Sequence, residues 1–140
     1  MNPAFYKREY TCPICKTKFT SLSVRSSSTY VEEKESDFHV IYKGISPLHY
    51  SIIVCPICEY AASNTTFSKE LNNKLAEQLA VALSQLKSND NTNYCEERDL
   101  NTTLKAFQLA IRTAQLKKVP AAELSGLLLA AGWIARELKS

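Results

Sequence analysis

The sequence predicts an α+β protein in which a small antiparallel β unit precedes three antiparallel helices. Two observations support this fold class. Residues 38–55 place apolar side chains at every second position, which is the period of a strand, whereas from about residue 67 leucines recur at the period of a helix. We therefore divide the 140-residue chain into a β unit over 1–66 and a helical region over 67–140. A hydrophobic content of 45% is enough to form at least one core.

Two segments of the first region predict half-buried strands. Residues 38–43 (FHVIYK) and 50–55 (YSIIVC) alternate aromatic or β-branched side chains with other residues. Gly44 and Pro47 between them are typical of a turn, so we expect these two strands to form a hairpin. The polar, serine-rich segment before them predicts either a weaker edge strand or a loop.

Three amphipathic helices are predicted in the second region, at about 67–87, 98–118 and 120–138. Each carries apolar residues at intervals of three and four. The three apolar stripes are Leu71, Leu75, Leu79, Leu83 and Leu86; then Leu100, Leu104, Phe107, Ile111 and Ala114; then Leu124, Leu128, Ala131, Ala135 and Leu138. Pro120 suits the first turn of the third helix, where its missing N–H costs nothing.

Charge and hydropathy argue against several classes of protein. The net charge is +3 and the pI about 8.6, which is less basic than a dedicated nucleic-acid binder. The N-terminus lacks the apolar core of a signal peptide, and the longest apolar stretch, LSGLLLAAGWIA, is shorter than the roughly 20 residues that span a bilayer. We therefore expect a soluble cytoplasmic protein with no membrane association, in a compartment that keeps thiols reduced.

Four of the five cysteines form two Cys-Pro-Ile-Cys pairs: Cys12 with Cys15, and Cys55 with Cys58. Two such turns can direct four thiolates at one ion in the tetrahedral arrangement that Zn²⁺ prefers. In a reducing compartment, a metal site is favoured over disulfides. A thioredoxin-like redox pair would occur once, at a strand-to-helix junction of a βαβ unit, and the pattern predicts no such unit. A rubredoxin-like iron site would use the same ligands, so the sequence leaves zinc and iron open.

We expect one structural Zn²⁺ at this site. With all four positions filled by thiolates, no position is open for a reactive water. Metal binding contributes about 10–16 kcal/mol in small zinc domains, which would make it the main folding energy of the β unit. On this basis, Cys55→Ser should unfold residues 1–66 and leave the helices largely formed. Cys95 has no partner at ligand spacing and is interpreted as an incidental thiol.

Three segments resemble a bacterial family of uncharacterised proteins, the domain of unknown function numbered 2225. They are TCPICKTKF, SDFHVIYKGISPLHYSIIVCPICEYAA and AFQLAIRTAQLKKVPAAELSGLLLAAGWIARE, which together span most of the chain. In that family a glycine commonly follows each second cysteine, which suits a left-handed turn, whereas Lys16 and Glu59 occupy these positions here. The resemblance implies a zinc-ribbon-like N-terminus and a helical-repeat C-terminus, with no established activity.

The helical region is also similar to a tetratricopeptide repeat. Leu129, Ala130 and Trp133 follow Pro120 at the spacing of a repeat's first helix, although plain three-helix packing explains the same pattern. Family members tend to run longer, so we expect the third helix to open a truncated repeat or to pack against a second copy. The residues proposed for this homo-oligomer contact are Leu127, Leu128, Trp133 and Ile134.

These features favour a non-catalytic zinc-binding adaptor that binds another protein. The alternative is a nucleic-acid-binding ribbon, with cations at Lys7, Arg8, Lys16, Lys18, Arg25 and Lys43 and stacking side chains at Tyr6, Phe19, Tyr30 and Tyr42. Glu32, Glu33, Glu35 and Asp37 offset most of that charge. An enzyme is disfavoured, because the chain lacks a Gly-rich phosphate loop and a polar cluster of Asp37, His39 and His49 is expected to lie at the surface.

Overall fold

A computed structural model describes residues 4–25, 30–34, 40–43, 46–86 and 92–139, with only the backbone described for 30–34 and 40–43. These residues form three two-stranded antiparallel sheets and three helices, so the predicted α+β class is confirmed. The strands are β1 (Phe5–Thr11), β2 (Lys18–Val24), β3 (Tyr30–Lys34), β4 (Val40–Lys43), β5 (Ile52–Val54) and β6 (Ala61–Ser63). The helices are α1 (Asn73–Leu86), α2 (Leu100–Lys117) and α3 (Ala121–Lys139).

The predicted hairpin between residues 38–43 and 50–55 is wrong, because each of these segments pairs with a different strand. The sheets are β1 with β2, β3 with β4, and β5 with β6. Pro47 begins a short 3₁₀ helix, Pro47–Tyr50, in place of a simple turn, and the Ser51 hydroxyl donates to the Leu48 carbonyl oxygen over 2.8 Å. This helix separates the two segments, so the polar segment supplies β3 as the partner of β4. Gly44 of the predicted turn lies outside the described residues.

β5 lies between two hydrophobic cores, because both of its faces are buried. Ile53 packs into the first core, whereas Ile52 and Val54 pack into the second. The alternation seen in the sequence is therefore real, but it separates two apolar surroundings instead of a core and solvent. A strand buried on both faces is expected to be apolar throughout, as IIV is.

The first core joins the cysteine-containing hairpins to α1. Its centre is Phe67, whose ring packs against those of Tyr10, Phe19 and Tyr60 at centroid distances of 5.3–5.7 Å. The buried members are Tyr10, Cys12, Ile53, Cys55, Tyr60, Ala62, Phe67, Leu79 and Leu83. Residues on both sides of the predicted domain boundary at residue 66 thus share one core, while the division into two domains stays a prediction.

The second core joins α2 and α3 to the outer face of the β5–β6 hairpin. Its buried members are Ile52, Val54, Ala61, Tyr94, Ala106, Phe107, Ala110, Ala130 and Ile134. α2 begins at the predicted place, where the Asp99 carboxylate accepts a hydrogen bond from the Thr102 N–H over 2.7 Å. It ends at Lys117 and is capped by Lys118, which has a left-handed φ of 56°.

The predicted apolar stripe of α3 coincides only in part with the covered face, because Ala131 belongs to both. The helix buries Ala130 and Ile134 and packs Leu127, Ala131 and Trp133 against the second core, whereas Leu128 of the predicted stripe is 51% exposed. The helix is apolar on nearly every side, so its sequence does not determine which face is covered. Ile134 is also unavailable for the predicted contact between copies, because it is fully buried within the chain.

α1 begins at Asn73 and not at about residue 67 as predicted. Residues 64–68 form a turn instead, in which the Phe67 N–H donates to the Ser63 carbonyl oxygen over 2.9 Å. The Asn72 side chain then accepts a hydrogen bond from the Leu75 N–H over 2.8 Å, as an N-terminal cap does. This turn lets Phe67 enter the first core before the helix starts.

The segment before α2 is fastened to β5 by a buried arginine that the sequence analysis missed. The Arg98 guanidinium donates to the carbonyl oxygens of Tyr94, Ile52 and His49 over 2.7–3.1 Å. Burial lowers the pKa of Arg98 to about 10, because removal from water disfavours the charged form. Backbone carbonyls thus replace water around the cation and fix the start of α2 against the β5–β6 hairpin.

Among the described residues, none of the helices has both the length and the apolar character needed to cross a membrane.

Candidate metal centre

Each Cys-Pro-Ile-Cys pair lies in a tight turn at the tip of a β-hairpin. The first cysteine turn, Cys12–Thr17, joins β1 to β2, and the second cysteine turn, Cys55–Tyr60, joins β5 to β6. Both turns direct their two thiols toward the same point. The hairpins therefore present the pairs from opposite sides of one site.

The two turns have the same backbone hydrogen bonds. The N–H of the residue after the second cysteine donates to the carbonyl oxygen of the first, over 3.0 Å for Lys16 and 3.1 Å for Glu59. The N–H of each first cysteine donates to the carbonyl oxygen five residues on, over 3.0 Å at Cys12 and 2.9 Å at Cys55. Lys16 and Glu59 have left-handed φ values of 62° and 63°. An identical four-residue sequence thus adopts one conformation twice.

The four sulfurs form one compact group. Cys12 Sγ lies 3.5 Å from Cys58 Sγ, and Cys15 Sγ lies 3.5 Å from Cys55 Sγ, so each short distance joins one turn to the other. All four ligand atoms lie within 4.8 Å of one another. Four sulfurs at about 2.3 Å from a tetrahedral ion would be about 3.8 Å apart. The four cysteines are therefore positioned to hold one metal ion.

The site has a buried side and an accessible side. Cys12 and Cys55 are fully buried in the first core, while Cys58 is partly exposed and Cys15 exposed. The Ile14 N–H points at Cys12 Sγ over 3.4 Å, which is the N–H···S contact that offsets thiolate charge in such turns. One half of the donor set is thus anchored by packing, and the other half faces the surface.

Hydrogen bonding among the thiols separates their pKa values. Interaction with the Cys12 and Cys58 thiols lowers the pKa of Cys55, because donation to its sulfur stabilises the thiolate. Interaction with Cys12 and then Cys55 raises the pKa of Cys58, and interaction with Cys55 raises that of Cys12, since each must keep its proton to donate. Full deprotonation of the group requires a cation to balance the charge, as a divalent metal would.

The chain matches the family described as "Uncharacterized protein conserved in bacteria (DUF2225)" over residues 5–140. The chain belongs to this DUF2225 family. Neither the curated proteins nor the solved structures contain a significant match to the sequence.

Family membership explains one local feature of this DUF2225 protein. The resemblance drawn from the sequence places glycine after each second cysteine, and the φ values of Lys16 and Glu59 confirm that both positions are left-handed. A residue with a Cβ costs about 1–2 kcal/mol in this conformation. Both turns adopt it nevertheless, which indicates that the surrounding hydrogen bonds determine the backbone.

Cys95 and His49 lie outside the group of four sulfurs. Cys95 is outside the group; its Sγ lies 3.9 Å from the Val54 carbonyl oxygen, and burial raises its pKa. His49 Nε2 lies 3.2 Å from Glu137 Oε2 of α3. Asp37 and His39 lie outside the described residues, so the predicted cluster of these two with His49 stays a prediction.

Of the four aromatic side chains proposed for a nucleic-acid face, the structure describes two, Tyr6 and Phe19. The described cations are exposed: Lys7 and Arg8 on β1, Lys16 in the first cysteine turn, Lys18 on β2 and Arg25 directly after β2. Phe19 packs into the aromatic group around Phe67, and the ring of Tyr6 lies 5.5 Å from the Arg25 guanidinium. The side chains of Tyr30, Tyr42 and Lys43 lie outside what the structure describes.

Two residues behind the metal centre were missed in the sequence. Tyr60 is fully buried beneath the second cysteine turn, and its hydroxyl accepts a hydrogen bond from Lys117 Nζ of α2 over 3.0 Å. Phe67 supports both turns through Tyr10 and Tyr60. The only sequence signal was the position of Tyr60, an aromatic residue at the end of the second cysteine turn.

Proposed function

We propose that this DUF2225 protein is a non-catalytic zinc-binding protein that acts as a protein–protein interaction adaptor in the cytoplasm. The observation that carries the proposal is the group of four sulfurs within 4.8 Å of one another, contributed equally by two hairpins. An ion bound there would cross-link the β1–β2 and β5–β6 hairpins. The role of the ion is therefore structural, because it holds the two hairpins together.

Zinc is the metal that we propose for this site. Four thiolates form a closed tetrahedral donor set, which suits Zn²⁺ and offers no open position at which water or substrate would bind. The buried position of Cys12 and Cys55 links the ion directly to the first core. Metal binding would thus stabilise the packing of α1 as well as the hairpins.

The adaptor role is supported by an apolar surface next to the cysteine turns, the tip surface, formed by Ile14 and Ile57. Ile57 is 52% exposed. The tip surface borders a groove of about 380 Å³ between the turns and α1, which is lined by Ile14, Cys15, Ile57, Cys58, Ala80, Leu83 and Ser84. Exposed apolar residues around such a groove are typical of a protein-binding site, in which one large side chain of the partner fills the pocket. We propose that a partner protein inserts a leucine or aromatic side chain there.

A quantitative pull-down tests this role. Zinc-loaded wild-type protein and Ile57→Glu are used as baits in lysate from the host, with Leu129→Glu as the matched control, because Leu129 is 49% exposed on α3. We expect at least one protein to be enriched about tenfold or more by the wild type and the control but not by Ile57→Glu, since a charge in an interface core costs several kcal/mol. Equal capture by all three baits would contradict the adaptor proposal.

Oligonucleotide binding distinguishes the alternative function. If the protein is an adaptor, labelled single-stranded DNA and RNA should show no change in fluorescence anisotropy with protein at moderate salt. Binding that weakens steeply with salt would instead indicate phosphate contacts by the cations of β1 and β2.

Predicted self-association is measured by sedimentation equilibrium of wild type and Leu128→Glu, because Leu128 and Leu129 are the exposed leucines of α3.

A further inference from the structure

A second site lies beside β6, away from the four clustered cysteines. A cavity of about 200 Å³ opens between β6, α2 and the first turns of α3. Its apolar wall comprises Ala61 and Ala62 of β6, Ala110 and Ala114 of α2, and Leu127 of α3. The cavity contains none of the four clustered cysteines, so what it binds is a question separate from the metal.

The cavity also contains a cation that is only partly satisfied. Lys117 lines it, and Nζ donates one hydrogen bond to the Tyr60 hydroxyl and lies 5.3 Å from the centre of that ring. An ammonium has three donors, and because Lys117 is half-buried the other two can bond to water or to a ligand in the cavity. Within the described part of the chain, no carboxylate forms an ion pair with Lys117. Burial lowers the pKa of Lys117, which reflects its removal from water.

Glu123 is the acidic residue on the cavity wall. It belongs to the first turn of α3 and is exposed, and its charge partly offsets the effect of burial on the pKa of Lys117. A ligand with several negative charges would be repelled by this carboxylate, while a single negative charge can approach Lys117. Ligand pockets for drug-sized molecules are about 300–1,000 Å³, so this smaller cavity suits a smaller molecule.

We propose that this cavity binds a small monocarboxylate with a short apolar chain. The carboxylate accepts hydrogen bonds from Lys117 Nζ, and the chain packs against Ala61, Ala110 and Ala114. The site joins β6 to α2 and α3, and a ligand there would contact all three elements. This binding activity is independent of the proposed metal and adaptor roles.

The test is an NMR titration of the zinc-loaded full chain with hexanoate and, separately, with the uncharged hexanamide. We expect hexanoate to shift the amide signals of Ala61, Ala110 and Gly126, and hexanamide to bind about tenfold or more weakly, because its carbonyl oxygen still accepts from Lys117 but the attraction between opposite charges is lost. Lys117→Met should weaken hexanoate binding by about tenfold to a hundredfold. Glu123→Gln should strengthen it by about two- to fivefold, since a like charge is removed.

A second pair of variants keeps the test valid if Lys117→Met, which also removes the partner of the Tyr60 hydroxyl, fails to fold. A Cβ added at Gly126 or at Gly132 meets nothing within 4 Å, but only Gly126 lines the cavity. Gly126→Leu should abolish hexanoate binding by filling the space, while Gly132→Leu should leave it unchanged. The proposal is overturned if hexanoate causes no shifts, if hexanamide binds equally well, or if the two glycine variants bind hexanoate alike.

Discussion

The two cysteine turns share one backbone conformation but have different surroundings. In the second turn, Glu59 and Tyr60 are buried, and the adjoining β5 is covered on both faces. In the first turn, Cys15 and Lys16 are exposed. The Cys-Pro-Ile-Cys sequence therefore sets the local hydrogen bonds, whereas the flanking residues determine how strongly each half of the site is fixed to the core.

The largest difference should come from removing one ligand in each turn. Cys55→Ser removes a ligand and places a hydroxyl in the first core, so we expect loss of zinc and unfolding of the β unit, because structural zinc contributes about 10–16 kcal/mol. Cys15→Ser removes a ligand at the exposed side and should leave part of the first core packed. NMR amide spectra and metal analysis of both variants measure the outcome.

The shared core changes what is expected of the helices. The sequence alone predicts that Cys55→Ser leaves the helices largely formed, but Leu79 and Leu83 of α1 pack in the same core as Cys55. We therefore expect α1 to lose its protection with the β unit, while α2 and α3 retain helicity. Native amide shifts and one zinc per chain in Cys55→Ser would refute the structural role of the metal.

The next difference concerns the residue that ends each turn. Tyr60→Ala should lower the free energy of unfolding by about 3–5 kcal/mol, because it empties a fully buried aromatic position. Thr17→Ala, at the matching position of the first turn, should cost about 1 kcal/mol, since Thr17 offers chiefly a 3.1 Å hydrogen-bond contact to Cys15. Urea unfolding of the zinc-loaded proteins measures both values, and equal losses would contradict the contrast between the turns.

The smallest difference is expected at the two left-handed residues. Lys16→Gly should raise the free energy of unfolding by about 0.5–1 kcal/mol, because it relieves Cβ strain at some cost in chain entropy. Glu59→Gly should gain less, since Glu59 Oε1 lies 3.9 Å from Arg112 Nη2 and its removal leaves that guanidinium without the contact. Thermal melts with zinc bound measure the pair. A larger gain at Glu59 would show that the Arg112 contact contributes nothing.

The candidate metal centre was largely predictable from sequence, because the geometry of each cysteine turn is local. The doubled Cys-x-x-Cys spacing identified Cys12, Cys15, Cys55 and Cys58, and the structure brings all four sulfurs together. The left-handed φ values of Lys16 and Glu59 agree with the glycine that the family resemblance places at these two positions. Such features depend on a few adjacent residues, whose backbone hydrogen bonds are set by the turn itself.

The packing around the centre was not predictable, because it depends on contacts between distant segments. The pairing of β5 with β6 joins residues separated by the second turn, and a three-residue strand such as Ala61–Ser63 carries little signal. The face of α3 was misassigned because every residue from Leu127 to Ala135 is apolar or glycine. Arg98 resembled a surface cation in a polar linker, and only the fold shows that three carbonyl oxygens surround it.

The central claim is that the two turns together hold one zinc ion, and metal content combined with thiol accessibility tests it most directly. Protein purified without added metal should contain one zinc per chain and negligible iron by elemental analysis. Chelation should release that zinc and make four further thiols reactive, one for each clustered cysteine. Protein that is folded, free of metal and fully reactive at all five thiols would contradict the claim. Stoichiometric iron would show that the bound metal is iron and not zinc.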